Sequence, residues 1–410
     1  MIEITPIETI DGKIRAPPSK SYTHRALFLG LLSEGKTKIE NPLICKDTLA
    51  TLNAIRKFGS EAEWNLVESS GKVKPAEINA LESGTTARLS IGISALANGE
   101  SVIDGEGSLR RRPMGPLLKA LNDLGIKTKT KSSGFLPVRV FGGEIKRDYV
   151  RVDGGISSQF ITALLLLGAR IGLSIEVLNP VSKPYIEVTL RTLKRANVKV
   201  RRDGGVFHVI QGIKARHFSV PGDYSSASFF LVAGAIFGKI RVEGLDRNDV
   251  QPDKAILDLL RDFGAKVKVA RGYVEVERDE LVGQEVDCRD FPDLFPILAV
   301  LGAYSEGRTV LRAKHLRYKE SDRVRAMALN LTNMGAKLKE LDDGLMISKS
   351  ELRGAVLNPQ NDHRIAMALT IAALGAKGRS LILNEGCVKK SYPKFFEDLK
   401  GLIGDDGKNA

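Results

Sequence analysis

Six short runs of the chain place hydroxyls, cations and carboxylates directly in front of strongly apolar segments: PPSKSYTHR, ESGTTAR, GGISSQ, PGDYSS, CRDFPD and NPQNDHR. Four others, SLRRRPM, VSKPY, RYKESDR and VKKSYP, place charge in front of more amphipathic segments. Lysine and arginine set among serines and threonines suit recognition of phosphate and carboxylate. Arginine does it by planar, two-point hydrogen bonding and lysine as a compact point charge. CRDFPD and RYKESDR also set carboxylates beside cations.

Taken singly, each element has a plainer structural reading. Serine before an apolar run, as in GGISSQFITALLLLGAR, satisfies free backbone N–H groups at a helix start. Asp293 could cap a helix, KESDR could be a solvated helix start, His363 a cap-region histidine and Gly84 a turn residue. Three consecutive arginines, Arg110 to Arg112, usually mark solvated surface, and function is expected only of Arg112, just before a proline. Joint occurrence, rather than any one motif, carries the functional reading.

The elements that must position these residues are repeated. LFLGLLSEGKTKIENP returns as IGISALANGESVIDGEG, LLLLGARIGLSIEVLNP, FLVAGAIFGKIRVEGL, LAVLGAYSEGRTVLRA and TIAALGAKGRSLILNEG. Each copy reads as an apolar helix, a closing glycine expected at the C-cap, and an alternating strand. The glycines are Gly35, Gly99, Gly172, Gly238, Gly307 and Gly378. Between copies lies a second helix with apolar residues at three- and four-residue spacing, as in PLLKALNDLGIKTKT and VRAMALNLTNMGAKLKEL. The fold class is therefore α/β: six β/α units, three to a domain. A helix apolar on every side belongs in a core. Its N-terminus, with partial positive charge and free N–H groups, is a ready anion site.

At 410 residues the chain is long enough for two domains. Its formal net charge of +13 points to anionic partners without choosing among them. The basic residues are spread along the sequence, aromatics make up 6%, and no nucleic-acid module is recognisable. A nucleic-acid partner is not expected. No apolar run approaches the length of about 20 residues that crosses a bilayer, so no membrane role is expected either. The start, MIEITPIETIDGK, lacks the charge and apolar pattern of a signal peptide, and Cys45, Cys288 and Cys387 have no metal-ligand spacing. Both features favour a cytoplasmic protein.

PPSKSYTHRA, SGTTAR, LRRRPMGPLLKAL, SSQFITALL, SKPYI, RYKESDR, NDHRIAMAL and KKSYP occur in the order found in the 5-enolpyruvylshikimate-3-phosphate synthase family, which the whole chain resembles. The resemblance implies two similar domains of three β/α units in an inverse α/β barrel-like arrangement, closing on substrates by induced fit. The domains would comprise residues 15–219 and residues 1–14 with 220–410, with the active site in the cleft between them. It implies a transferase of alkyl groups other than methyl in chorismate and aromatic amino acid biosynthesis. The enolpyruvyl group of phosphoenolpyruvate passes to the 5-hydroxyl of shikimate 3-phosphate, through a tetrahedral intermediate that eliminates phosphate. No cofactor or metal is implied, and a monomer is expected.

Matched motif by motif, the resemblance assigns shikimate 3-phosphate to Lys20, Ser21, Arg25, Ser157, Ser158, Gln159, Ser182, Asp293, His315 and Lys319, with Tyr185 along the wall. Phosphoenolpyruvate falls to Lys20, Gly84, Thr85, Arg112, Gln159, Arg323, Arg364 and Lys390. Asp293 would take the 5-hydroxyl proton, Glu320 would protonate the methylene carbon, and Lys20 would assist catalysis. The sequence departs from the family pattern at Pro18, commonly glycine, and at His24, Glu82 and His315, commonly asparagine. An imidazole at 315 gives the expectation that shikimate 3-phosphate binds more weakly as pH rises through its titration. Two rival readings are a UDP-N-acetylglucosamine enolpyruvyl transferase and a non-catalytic polyanion-binding protein. The first typically has a cysteine in the loop that here reads GEGSLRRRP; the second leaves Asp293 and Glu320 unexplained.

Overall fold

A computed structural model describes residues 1–404. Two compact units divide the chain: residues Pro18–Val220 form one, and Met1–Pro17 with Pro221 onward form the other. For brevity they are called the middle unit and the split unit. Each contains three βα repeats, as the sequence periodicity predicts.

In the middle unit the apolar helices are α1 (Lys20–Leu32), α3 (Gly84–Ser94) and α5 (Gln159–Ile171), interleaved with the amphipathic α2 (Lys46–Lys57), α4 (Gly115–Asp123) and α6 (Pro184–Arg195). In the split unit the apolar set is α7 (Tyr224–Phe237), α9 (Phe295–Tyr304) and α11 (His363–Leu374), interleaved with α8 (Ile256–Asp262), α10 (Arg323–Asn333) and α12 (Phe395–Ile403). The apolar helices are buried along almost their entire length. Leu164 to Leu167 of α5 are each fully inaccessible, and each such leucine contributes about 1.5–3 kcal/mol. That burial on every side is what makes these helices the core of each unit.

Each apolar helix runs into a strand that pairs in parallel with the strand preceding a helix and, in every case but α11, antiparallel with a hairpin strand. Glu77–Asn79, Gly99–Asp104 and Val138–Gly142 are one such set. The first repeat of the middle unit borrows its parallel strand from the far end of that unit: His217–Ser219 pairs with Glu34–Glu40. Ile10–Arg15 pairs in parallel with Gly238–Glu243 of the split unit, and Ile2–Ile4 pairs antiparallel with Ser380–Ile382. Among the described residues, five sheets have four strands and a sixth, which includes Ile2–Ile4, has three.

The glycine reading needs correcting. Gly172 and Gly238 occupy C-caps, but α1, α3, α9 and α11 end at Ser33, Ala95, Ser305 and Gly375 instead. Gly35, Gly99, Gly307 and Gly378 come later and have positive φ, so they turn the chain into its strand. Repeat periodicity located the turn but could not tell a helix cap from a strand start two to four residues on.

Candidate active site

Helix starts carry the candidate residues in both units. Lys20, Gly84 and Gln159 are the first residues of α1, α3 and α5; Arg323 begins α10, and Arg364 is second in α11. At these positions the backbone N–H groups and the helix dipole favour anions.

In the middle unit Arg25 is 3% exposed and ties three helices together. Its Nε donates to Thr189 Oγ1 (2.9 Å), Nη1 to Ser21 O (2.8 Å), and Nη2 to Thr162 Oγ1 and Tyr185 O (3.3 Å each). Burial lowers its pKa to about 10, which still leaves it cationic at neutral pH. All four acceptors are uncharged, so the guanidinium charge is oriented without being neutralised.

Gln159 is held equally firmly. Arg88 Nη1 donates to Gln159 Oε1 at 2.6 Å, which turns the amide nitrogen toward Thr85 Oγ1 at 2.9 Å. Arg88 also lies over the Phe160 ring, 5.1 Å from its centroid. The sequence reading gave Arg88 no role, although an arginine inside an apolar helix was the signal that could have found it. Gly84 lies under the Arg112 guanidinium: a Cβ there would sit 2.6 Å from Nη1 and 2.9 Å from Cζ. Arg112 is 6% exposed whereas Arg110 is exposed and paired with Asp104, so the arginine run divides as its position before proline suggested.

Lys20 Nζ pairs with Asp47 Oδ2 at 2.8 Å, an acid the sequence reading did not single out. Ser157, Ser158 and Ser182 are all buried. Ser182 adopts left-handed backbone (φ 52°), which costs a serine on the order of 1–3 kcal/mol. The capping expectation is only half met. Ser157 Oγ accepts from Gln159 N at 3.3 Å, but Ser158 makes no side-chain cap because its backbone is already helical and its hydroxyl cannot reach back.

The split unit gathers carboxylates instead. Arg323, 1% exposed, donates from Nη1 to Asp293 (2.7 Å), from Nη2 to Glu320 (2.8 Å) and from Nε to Asp362 (2.9 Å). Arg364 Nη2 reaches Asp293 at 3.3 Å, and Asp362 caps α11 through the Arg364 N–H at 2.9 Å. Asp293 does not cap α9, whose N-cap is Leu294. Burial opposes its ionisation, but Arg364, Arg323 and Lys319 outweigh burial and hold its carboxyl well below the usual range. Lys390 Nζ donates to Asn361 O at 2.6 Å, beside Asp362. Asp362 was visible in NDHR but was given no part.

His315 corrects a sequence expectation. It is 8% exposed, and burial, Lys319 and Arg323 push its pKa down to about 3. In the ligand-free protein it is neutral at neutral pH, so no titration near 6.5 is available to weaken ligand binding. Desolvation and neighbouring cations both disfavour the imidazolium. Among the described residues no group of acidic, histidine or cysteine side chains is arranged to hold a metal ion.

The repeated βα units place the chain in the fold of the enolpyruvyl transferases. The chain superposes on the enolpyruvyl transferase NikO from Streptomyces tendae with a TM-score of 0.79, covering 98% of this chain and 97% of that one; at 20% identity that likeness shows the fold alone. EPSP synthase from Acinetobacter baumannii gives a TM-score of 0.81 at 28% identity, over 98% and 97% of the two chains. Among sequences, 3-phosphoshikimate 1-carboxyvinyltransferase of Thermococcus kodakarensis is 54% identical, covering 98% of this chain and 99% of the relative. Its namesake from Pyrococcus furiosus is 52% identical over 98% and 100%. The EPSP synthase (3-phosphoshikimate 1-carboxyvinyltransferase) family profile matches residues 4–399, and the chain belongs to that family. It is an enzyme, a transferase of the shikimate pathway.

Proposed function

We propose that the chain joins phosphoenolpyruvate to the 5-hydroxyl of shikimate 3-phosphate. Each substrate carries a phosphate and a carboxylate, so four anionic groups need cations that are not already neutralised. Arg25 in the middle unit, held by hydroxyl and carbonyl oxygens alone, meets that requirement, and Gln159 adds an oriented amide beside it. In this reading Lys20, Ser21, Arg25, Ser157, Ser158, Gln159, Ser182, His315 and Lys319 hold shikimate 3-phosphate. Lys20, Gly84, Arg112, Gln159, Arg323, Arg364 and Lys390 hold phosphoenolpyruvate.

The observation that carries the proposal is the arrangement of Asp293 and Glu320 on one buried guanidinium, at 2.7 and 2.8 Å. Asp293 takes the 5-hydroxyl proton as that oxygen bonds to C2 of phosphoenolpyruvate, and Glu320 delivers a proton to the C3 methylene. In the tetrahedral intermediate C2 bears both the new ether and the phosphate. The C2–O bond to phosphate then breaks as C3 returns a proton, restoring the double bond. Asp293 is by itself a weak base because Arg364, Arg323 and Lys319 surround it. Bound phosphates and carboxylates offset that cationic field and raise its basicity when the proton must move.

The three cysteines are buried and free, which accords with a reducing cytoplasm. We further propose a monomer, which size-exclusion chromatography with light scattering will check. The test of function is phosphate release from phosphoenolpyruvate with either shikimate 3-phosphate or UDP-N-acetylglucosamine. Release with the first alone is expected. Release with the nucleotide sugar alone refutes the substrate assignment.

A further inference from the structure

Beneath Lys20 and Gly84 the middle unit contains a chain of buried hydrogen bonds that the reaction, as described, does not use. His24 on α1 meets Thr51 on α2 through Nδ1 and Oγ1 at 2.7 Å. Thr51 Oγ1 meets Thr86 Oγ1 on α3 at 2.7 Å. Thr86 in turn meets Ser83, the N-cap of α3, with its hydroxyl 2.8 Å from Ser83 Oγ and its N–H donating to that oxygen at 3.1 Å. The Thr86 hydroxyl also lies 3.3 Å from the carbonyl oxygen of Asp47, whose carboxylate holds Lys20. His24, Thr51 and Thr86 are wholly inaccessible and Ser83 is 1% exposed.

The direction of the chain follows from burial. His24 Nε2 is buried and makes no hydrogen bond among the described residues. A buried orphan N–H is rarer than a buried bare acceptor, so the proton belongs on Nδ1. Nδ1–H then donates to Thr51, the Thr51 hydroxyl donates to Thr86, and the Thr86 hydroxyl turns toward Ser83 and the Asp47 carbonyl. Burial, with Lys20 and Arg25 nearby, keeps the imidazole neutral and so consistent with this pattern.

Helices packed through apolar faces do not need such a string for stability. Replacing both partners of a buried hydrogen bond with apolar groups of the same shape can be nearly neutral. The string instead fixes the relative height of three helix starts, those of α1, α2 and α3, where Lys20, Asp47 and Gly84 stand. Gly84 supports the Arg112 guanidinium, so a shift at Ser83 is passed on to a second cation.

We propose that Asp47 is a positioning residue for Lys20, and that the His24–Thr51–Thr86 relay sets both Asp47 and the Ser83–Gly84 start of α3, aligning Lys20 and Arg112 for the phosphoenolpyruvate anion. The proposal rests on the reading of Lys20 and Arg112 as the phosphoenolpyruvate clamp. It differs from a packing role in the order of two variants. Thr86→Val keeps the shape and loses the hydroxyl; Thr86→Ser keeps the hydroxyl and loses a methyl group.

The experiment measures kcat and KM for phosphoenolpyruvate, thermal unfolding, and the crystal structure of each variant. Thr86→Val is expected to lower kcat/KM roughly tenfold, the scale of one or two hydrogen bonds, while Thr86→Ser stays within about twofold of the parent. Asp47→Ala is expected to lower kcat/KM by a similar factor, with Asp47→Asn partly restoring it. The reverse order, with valine active and serine impaired, makes the relay mere packing and overturns the proposal. So does Asp47→Ala with lower KM and undiminished kcat, which makes Asp47 only a drag on anion binding. The Thr86→Val structure gives an arm independent of turnover: Lys20 Nζ is expected to leave Asp47, and an unchanged ion pair refutes the positioning role. If the parent protein releases no phosphate, the functional reading fails while the structural arm still decides the relay.

Discussion

Buried arginines of the two units are held in opposite ways. In the middle unit Arg25 is oriented by threonine hydroxyls and backbone carbonyls, and Arg88 by a glutamine amide and an aromatic face. In the split unit Arg323 is enclosed by Asp293, Glu320 and Asp362. Neutral partners leave a guanidinium's charge available to a ligand, whereas carboxylate partners cancel it and gain a place to keep protons. The same repeat therefore sets a buried guanidinium beside neutral oxygens in one unit and beside carboxylates in the other.

Asp293→Asn tests the proton-handling half most severely. It keeps the shape but removes the acceptor, and turnover is expected to fall by about 10²- to 10⁴-fold with shikimate 3-phosphate binding retained in calorimetry. Retained turnover breaks the contrast between the units.

Stability gives the next largest effect. Arg323→Met removes the guanidinium shared by Asp293, Glu320 and the fully buried Asp362, and is expected to cost about 3–5 kcal/mol in denaturant unfolding. Arg25→Met leaves only neutral acceptors unpaired and should cost less, about 1–3 kcal/mol. Equal losses would mean that the two arginines sit in equivalent electrostatic settings after all.

Gly84→Ala places a methyl group within 2.6 Å of Arg112 Nη1. Overpacking of this kind costs about 1–3 kcal/mol, and it is expected here as a raised KM for phosphoenolpyruvate with little change in that for shikimate 3-phosphate. An equal rise in both constants would detach Gly84 from the phosphoenolpyruvate clamp.

The smallest effect concerns His315. Its folded pKa is pushed down to about 3, by burial first and then by Lys319 and Arg323, from an ordinary value of 6.5. Between those values the unfolded chain holds the extra proton, so the contribution to stability is intact above pH 6.5 and is lost as pH falls toward 3. His315→Asn removes that term, and the drop in Tm between pH 7 and pH 5 should shrink. An unchanged drop would show that the imidazole is not held neutral by its surroundings.

Much of this was legible before any coordinates. The helices, the strands that follow them and the crowding of polar residues at helix starts are local properties, governed by apolar spacing and by the four free N–H groups every helix exposes. The candidate residues lie in runs visible by eye, such as SKSYTHR and RYKESDR. Even so, Gly35 and Ser158 show the limit of local inference: one is a strand turn and not a cap, and the other has a backbone that removes its hydroxyl from the role assigned to it.

Partner choice belonged to the tertiary structure. Lys20 finds Asp47 across 27 positions, Arg88 finds Gln159 across 71, and Arg323 finds Asp362 across 39. Nothing in the spacing of those pairs specifies them, because each depends on which helix start is set beside which once the apolar faces are buried. The sequence by itself determined which residues stand at the mouths of the helices. Only the packing of three helix starts per unit decided which cations meet neutral oxygen, which meet carboxylate, and hence which keep their charge for a ligand.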